Sequence, residues 1–260
     1  MPSPAALRIA LISDIHGNLP ALEAVLADLD RREVDRLFNL GDICYGPLWP
    51  RETWQRLQAL ALPTLTIQGN QDRDLYDHDP GLLPTHPTLR YDVEALGAAG
   101  LAWLRGLPKT LSVDEIYACH GTPDSDLVYL LEDVGSGDAQ LRSEPELRQL
   151  LPARSEAVIV CGHTHTPRSL RLADGPLVVN PGSVGLPAYD DLLPVPHRMQ
   201  TGSPAARYAL IERDEHGRWS AELLSIDYDF ESAARQAERN GRADWAGWLR
   251  SGLADVPTAA

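Results

Sequence analysis

The sequence predicts an α/β protein whose mixed sheet system is covered by helices, and three observations predict it. Short apolar runs at 9–13, 36–40, 64–67, 116–119 and 158–161 have strand length, and each ends in an Asp, His or Asn. The stretches between the early runs carry apolar residues at helical spacing. Later in the chain two strand-like runs follow one another and a helical pattern closes it. Potential metal ligands at several strand ends suggest one cluster at one sheet edge, the usual place for a site in an open α/β protein.

Taken in order, the first run delivers Asp14 and His16. Behind it Leu22, Val25, Leu26 and Leu29 fall on one helical face, and Pro20 suits a first helical turn. The second run delivers Asp42, with a helix expected over about 50–60. The third delivers Asn70, with a helix expected over 93–104 that has ended by Pro108. The fourth delivers His120, with a helix expected over roughly 138–151, and the fifth delivers His163 and His165. Residues 177–180 form a short strand closed by Pro181 and Gly182. Residues 187–204, rich in Pro, Gly and Asp, are expected to be an irregular loop of a length that is often functional. Strands at 207–213 and 219–226 flank a hairpin turn at 215–218, and 230–249 reads as one closing helix.

A chain of 260 residues can bury a full core. The ligand candidates run from position 14 to position 165 with no Gly/Ser or low-complexity linker between them, so one domain over 1–260 is expected. The longest apolar runs are strand-length, so no membrane partner is expected. Residues 1–6 lack both the basic region and the apolar stretch of a signal peptide. The three cysteines, Cys44, Cys119 and Cys161, form no disulfide framework, and the protein is expected to be cytoplasmic. A net charge of −14 disfavours long nucleic acid as a partner. It does not exclude a small phosphate ester, because bound divalent ions reverse the local field. A homo-oligomer remains open.

Asp, His and Asn side chains at strand ends suit a pair of divalent ions. Imidazoles favour zinc, manganese, iron, cobalt or nickel, and the oxygen ligands admit manganese or iron as readily. A structural zinc site would more often show Cys pairs at short spacing. His163 and His165 are expected on a tight turn after Gly162, reaching different ions, and Asp42, alone on its strand end, is the natural bridge. Each residue taken singly also has an ordinary explanation. Asp14 would cap a helix, Asn70 would shape a turn, and His163 and His165 would be loop histidines. Their joint occurrence favours the metal reading.

The blocks Asp14-Ile15-His16-Gly17-Asn18, Gly41-Asp42, Gly69-Asn70-Gln71-Asp72, His120-Gly121 and Gly162-His163-Thr164-His165 resemble, in order, the signature blocks of calcineurin-like metallophosphoesterases. Asn180-Pro181-Gly182-Ser183-Val184-Gly185 extends the likeness to that family's compact bacterial and archaeal phosphodiesterase branch, so it covers about 7–226. The resemblance implies a two-sheet β-sandwich flanked by helices. It implies one ion held by Asp14, His16, Asp42 and His165 and a second held by Asp42, Asn70, His120 and His163. A hydroxide between ions ~3.5–4 Å apart would attack phosphorus in line. Manganese is expected first, with iron, zinc, nickel or cobalt as alternatives.

Asn70, Gln71 and Asp72 are the residues implied for the catalytic block, and here the chain departs from the family. Many members carry His at the position of Gln71, credited with protonating the leaving oxygen. An amide can hydrogen-bond a phosphate oxygen but cannot act as an acid, and acid help is worth about 10²–10⁴-fold. Asp72, which would orient that His, is expected to pair with Arg73 instead. The expected function is therefore a phosphoesterase preferring diesters. A dinucleoside polyphosphate hydrolase is the alternative within the fold, and a non-catalytic metal-bound scaffold the alternative from another class. His197 and Arg198, with Tyr189, are expected to meet substrate from the segment 187–207, which would wall the entrance. The cysteines are expected to pack, and Asn180 to hold a turn. His78, His86 and His216 are expected at the surface, and Trp245 and Trp248 in a helical core stripe, with a dimer contact as the alternative.

Overall fold

The structure is a computed structural model and describes residues 7–151, 154–173 and 175–258; the leader-free reading of 1–6 falls outside the described residues. The chain opens with β1 (Leu7–Ile12), α1 (Leu19–Leu29), β2 (Arg36–Asn39), α2 (Pro50–Gln58), β3 (Thr64–Thr66) and α3 (Asn70–Tyr76). It continues through α4 (Pro87–Arg105), β4 (Thr110–Val113), β5 (Ile116–Cys119), β6 (Glu132–Asp133), β7 (Gln140–Leu141) and α5 (Glu144–Leu150). Then come β8 (Val158–Val160), β9 (Arg168–Arg171), β10 (Leu177–Asn180), β11 (Ala188–Asp191) and β12 (His197–Gln200). β13 (Ala206–Arg213), β14 (Trp219–Ile226), α6 (Phe230–Arg239) and α7 (Ala243–Ser251) end it.

Two five-stranded sheets, ordered β14-β13-β1-β2-β3 and β4-β5-β8-β10-β9, pack face to face. Each contains three parallel strands: β1, β2 and β3 fill one side of the first sheet, with antiparallel β13 and β14 beyond β1, whereas β5, β8 and β10 are flanked by antiparallel β4 and β9 in the second. Alternation along β1 explains the layers. Ile9 and Leu11 point between the sheets, where they meet Phe38, Ile116, Val158, Val160 and Val179. Ala10 and Ile12 point outward onto Leu22, Val25 and Leu26 of α1. The second sheet does the same, since Tyr117, Cys119 and Ile159 face Leu147 of α5. A strand buried on both faces reads as a continuous apolar run, as these do. Each enclosed Leu or Ile contributes about 1.5–3 kcal/mol.

Several elements differ from expectation for identifiable reasons. The stretch 138–151 is not one helix. Gln140 and Leu141 pair with β6, and the helix begins only after Ser143, whose backbone N–H donates to Glu146 Oε2 at 2.8 Å in a capping box. The closing helix is two, because Gly241 adopts φ 77° between α6 and α7. The helix expected from Val93 starts earlier, with Pro87 in its first turn. Residues 187–204 are not irregular: β11 and β12 form a hairpin pairing Tyr189 with Met199 and Asp191 with His197. No helix among the described residues is long and apolar enough to cross a membrane.

Candidate metal centre

The parallel strands of both sheets end at one edge, and the turns that follow them carry the ligand candidates. Asp14, His16, Asp42, His163 and His165 all adopt positive φ, between 52° and 70°. Non-glycine residues avoid this region at a cost of roughly 1–2 kcal/mol each, and strain of this kind gathers at functional sites. Backbone bonds between neighbouring turns hold it. Asp14 N–H donates to Gly41 O at 2.9 Å, His16 N–H to Asp42 O at 3.0 Å, and Gly162 N–H to His120 O at 2.8 Å. Two glycines let the turns approach. A Cβ on Gly162 would lie 2.0 Å from Ser13 Oγ, and one on Gly69 would lie 2.1 Å from Asp42 Oδ1.

Two clusters result. Asp14, His16 and His165 bring ligand atoms within 4.8 Å of one another, and so do Asp42, His120 and His163. In the first, His165 Nε2 lies 3.1 Å from His16 Nε2 and 3.3 Å from Asp14 Oδ1. In the second, His120 Nε2 lies 3.4 Å from Asp42 Oδ2 and 3.1 Å from Asn70 Oδ1. His120 Nε2 is also 4.0 Å from Asp14 Oδ1, so the clusters adjoin. Three imidazoles point Nδ1 at backbone carbonyls: His16 at Tyr45 O (3.0 Å), His120 at Leu40 O (2.7 Å) and His165 at Leu186 O (2.7 Å). In a neutral imidazole, an Nδ1–H donated outward leaves the Nε2 lone pair facing the cluster, the arrangement that supports metal-bound histidine.

The electrostatics call for added positive charge. Asp14 is fully buried, and its Oδ1 has no hydrogen-bond donor. Burial alone would raise the pKa of Asp14 and Asp42, yet the surrounding imidazoles outweigh it and hold both carboxyls down. Burial also works against a charged His120, but Asp42 and Asp14 prevail and push it up to about 10. Burial and neighbouring imidazoles drive His16 and His163 down to about 4, so both are neutral and free to ligate. Buried carboxylates and outward-tied imidazoles fit divalent ions of borderline hardness.

The remaining predicted residues divide. Gln71 donates its backbone N–H to Asp42 Oδ1 at 2.9 Å, and its Oε1, buried without a partner, belongs to the wall of the cavity. Asp72 does not pair with Arg73. Its carboxylate accepts Ile43 N–H and Gly69 N–H, both at 2.9 Å, tying the Asp42 turn to the Asn70 turn, while Arg73 bonds Asp126. Burial and the nearby Asp42 raise Asp72 to about 7. His197 is fully buried and outside the cavity wall, with Nε2 2.9 Å from the Tyr129 hydroxyl. Arg198 turns away to Asp138 and the Ala254 carbonyl. The hairpin nevertheless contributes Tyr189, Asp190 and Asp191 to the cavity wall. Asn180 holds its turn, donating to Gly162 O and Thr164 Oγ1, and the three cysteines are buried.

The cavity over the clusters measures about 200 Å³. Three of its residues had no functional signal in the sequence. The Tyr129 ring lies 4.6 Å from the His163 ring, and Tyr45 offers its carbonyl to His16. Trp245 is buried in the α6–α7 core as its spacing suggested, but its edge also meets His16 at 5.7 Å. Packing and ligand support coincide there, and helical periodicity reports only the packing.

Comparison with known proteins gives concordant matches. The model of the family described as the calcineurin-like phosphoesterase superfamily domain matches residues 7–193. An uncharacterized protein of Methanocaldococcus jannaschii is 28% identical over 265 residues, which covers 92% of this chain and 95% of that protein. A crystal structure of a metallophosphoesterase from Sphaerobacter thermophilus is 25% identical, with a TM-score of 0.73 over 95% of this chain and 100% of the other. A hypothetical protein of Pyrococcus horikoshii, 20% identical, has a TM-score of 0.77 over 95% and 99% and shares the fold.

Proposed function

The chain belongs to the calcineurin-like phosphoesterase superfamily, and from that premise we propose that it is a metal-dependent phosphodiesterase of the cytoplasm. One observation carries the reading: two adjoining clusters of buried carboxylate and imidazole open into a single cavity. Asp14, His16 and His165 would hold one divalent ion, and Asn70, His120 and His163 a second, with Asp42 serving both. Manganese is the metal we assign, because the donor set mixes imidazole with carboxylate and amide oxygen. Two such ions supply charge neutralisation at the phosphoryl group and an activated water at neutral pH.

The chain's own residues do the rest. Asp42 and Asn70 arrive on turns tied together by Asp72, so their spacing is fixed before substrate enters. Gln71 offers an amide to a phosphoryl oxygen and no acidic proton to a leaving oxygen. That favours esters whose leaving oxygen needs little help, and it supports diesters of weakly basic alcohols over alkyl monoesters. Buried thiols at Cys44, Cys119 and Cys161 suit a reducing compartment.

The test is hydrolysis of bis(p-nitrophenyl) phosphate by chelator-stripped protein reloaded with manganese, with metal per chain measured in parallel. Two ions per chain and manganese-dependent turnover are expected. Asp42→Ala should remove more activity than Asn70→Ala, because one carboxylate serves both ions. Full metal loading without turnover would return the scaffold reading. Near-normal turnover of Asp42→Ala would remove the shared role.

A further inference from the structure

We propose that the second arm of the diester is uncharged or cationic, and that it lies across Trp248 from the metal pocket into a neighbouring cavity bordered by carboxylates. The proposal rests on the phosphodiesterase reading and names the substrate class within it.

Space comes first. The pocket at the ligand candidates, about 200 Å³, is smaller than the ~300–1,000 Å³ of most small-molecule sites. A second cavity of about 610 Å³ adjoins it. Asp190, Asp244 and Trp248 line both, so the two cavities share one border. A phosphoryl group with one ester oxygen fills the first, and a nucleoside-sized arm fits only in the second.

Charge comes next. Two arginines border these cavities, and both are occupied. Arg242 grips Asp244 through two nitrogens, at 2.9 and 2.6 Å, and donates to Thr88 Oγ1 at 3.0 Å. Arg198 donates to Asp138 at 2.8 Å and to the Ala254 carbonyl at 3.2 Å. Asp190 and Asp191 in the first cavity's wall, and Asp255 in the second, have no ion pair among the described residues. Burial, then the like charges of Asp244 and Asp191, hold the Asp190 carboxyl above its usual range. A chain of further phosphates entering here would meet unbalanced negative charge, whereas a neutral or ammonium-bearing group would not.

Trp248 supplies the attraction. Its indole is half-buried and packs 6.3 Å from Trp245, which in turn meets His16. An indole on a border that Asp190 and Asp244 also line can take a planar base by stacking or an ammonium by cation–π contact.

Two probes that differ only in a distal phosphate decide the matter: thymidine 5′-(p-nitrophenyl phosphate) and the same ester carrying a 3′-phosphate. Both release p-nitrophenolate from the manganese-loaded full chain. At low salt the 3′-phosphorylated probe should show a kcat/KM lower by about 10-fold or more, the scale of several screened Coulomb contacts. Joint Asp190→Asn and Asp191→Asn substitution should narrow the gap to about threefold, as should ~0.5 M salt, where the Debye length is only ~4 Å. Trp248→Ala should raise KM for the thymidine ester about fivefold, the low end of base-stacking effects; an unchanged KM takes the arm off Trp248. Equal kcat/KM for the two probes overturns the proposal and leaves the phosphodiesterase reading standing. A gap that survives both the double substitution and salt is steric and also overturns it. Failure to hydrolyse either probe or bis(p-nitrophenyl) phosphate sinks the underlying reading, and this one with it.

Discussion

Replacing Gly69 with Ala should disable the candidate centre through one carbon atom. The backbone permits the change, because Gly69 sits at φ −96° and ψ 178°, an extended conformation open to any residue. Space does not. The added Cβ would stand 2.1 Å from Asp42 Oδ1 and 2.5 Å from Asp42 N, and ordinary contact begins at 3.4 Å. The carboxylate oxygen would have to retreat by about 1.3 Å (3.4 less 2.1). It has little freedom to do so, since Asp42 is already at φ 52° and its Oδ1 accepts the Gln71 N–H. Misplacing a positioned group by ~1 Å costs about 10²-fold in rate, equivalent to about 2.7 kcal/mol of barrier. Overpacking should also lower stability by about 1–3 kcal/mol. The assay is kcat/KM on bis(p-nitrophenyl) phosphate with manganese, read beside metal content and melting temperature. Gly247→Ala in α7, where an added Cβ meets nothing within 4 Å, is the control for the melting temperature alone and should stabilise by about 0.4–1 kcal/mol. If Gly69→Ala keeps full metal and loses less than about threefold in rate, far short of the misplacement cost, the claim that this close approach fixes Asp42 is wrong.

Two further outcomes are expected. Gln71→His should raise turnover of alkyl monoesters more than of activated aryl diesters, by up to about 10²-fold, because proton donation helps most when the leaving oxygen is basic; equal change in both classes would show that position 71 is not a proton-donor site. Asp92→Asn should become more stabilising as pH rises. Asp92 is buried with Oδ1 unpartnered and Oδ2 accepting the Gly46 N–H, and burial holds its folded pKa well above the unfolded 3.8. The folded chain therefore keeps a proton that the unfolded chain releases, and the stability this lends at low pH is lost as pH climbs toward the folded value. Asn carries no such dependence, so the melting-temperature gap between variant and parent should widen from about pH 5 to pH 8; a constant gap would mean that Asp92 does not titrate on unfolding.

The strand ends were legible because each buried strand is a continuous apolar run and each ligand interrupts it with a polar residue. Clustering at one edge followed from parallel strands, which all end on the same side. Other features left weaker marks. The β11–β12 hairpin alternates buried His197 and Met199 with more exposed Arg198 and Gln200, but His and Met do not read as an apolar face, and the surrounding prolines suggested a loop. The start of α5 was written as Ser143 followed three residues later by Glu146, a capping signal outweighed by the apolar spacing around it. Only Asn240, Gly241 and Arg242 separate α6 from α7, and one glycine inside a helical pattern is ordinarily tolerated. The cavity's aromatic walls were out of reach for a different reason. Tyr129 and Trp245 lie far in sequence from His163 and His16, the residues they meet, and only tertiary folding brings them together.

The left-handed turns at Asp14, His16, Asp42, His163 and His165 are secured by backbone bonds between neighbouring turns and by the sandwich beneath them. The shape of the basin is thus inherited from the sheets, so an ion need not organise the chain in order to bind. Because the rigid donor set is acceptable to several borderline cations, relative supply in the surroundings governs which of them occupies it. Cells that differ in their available transition metals would then load the same basin with different ions.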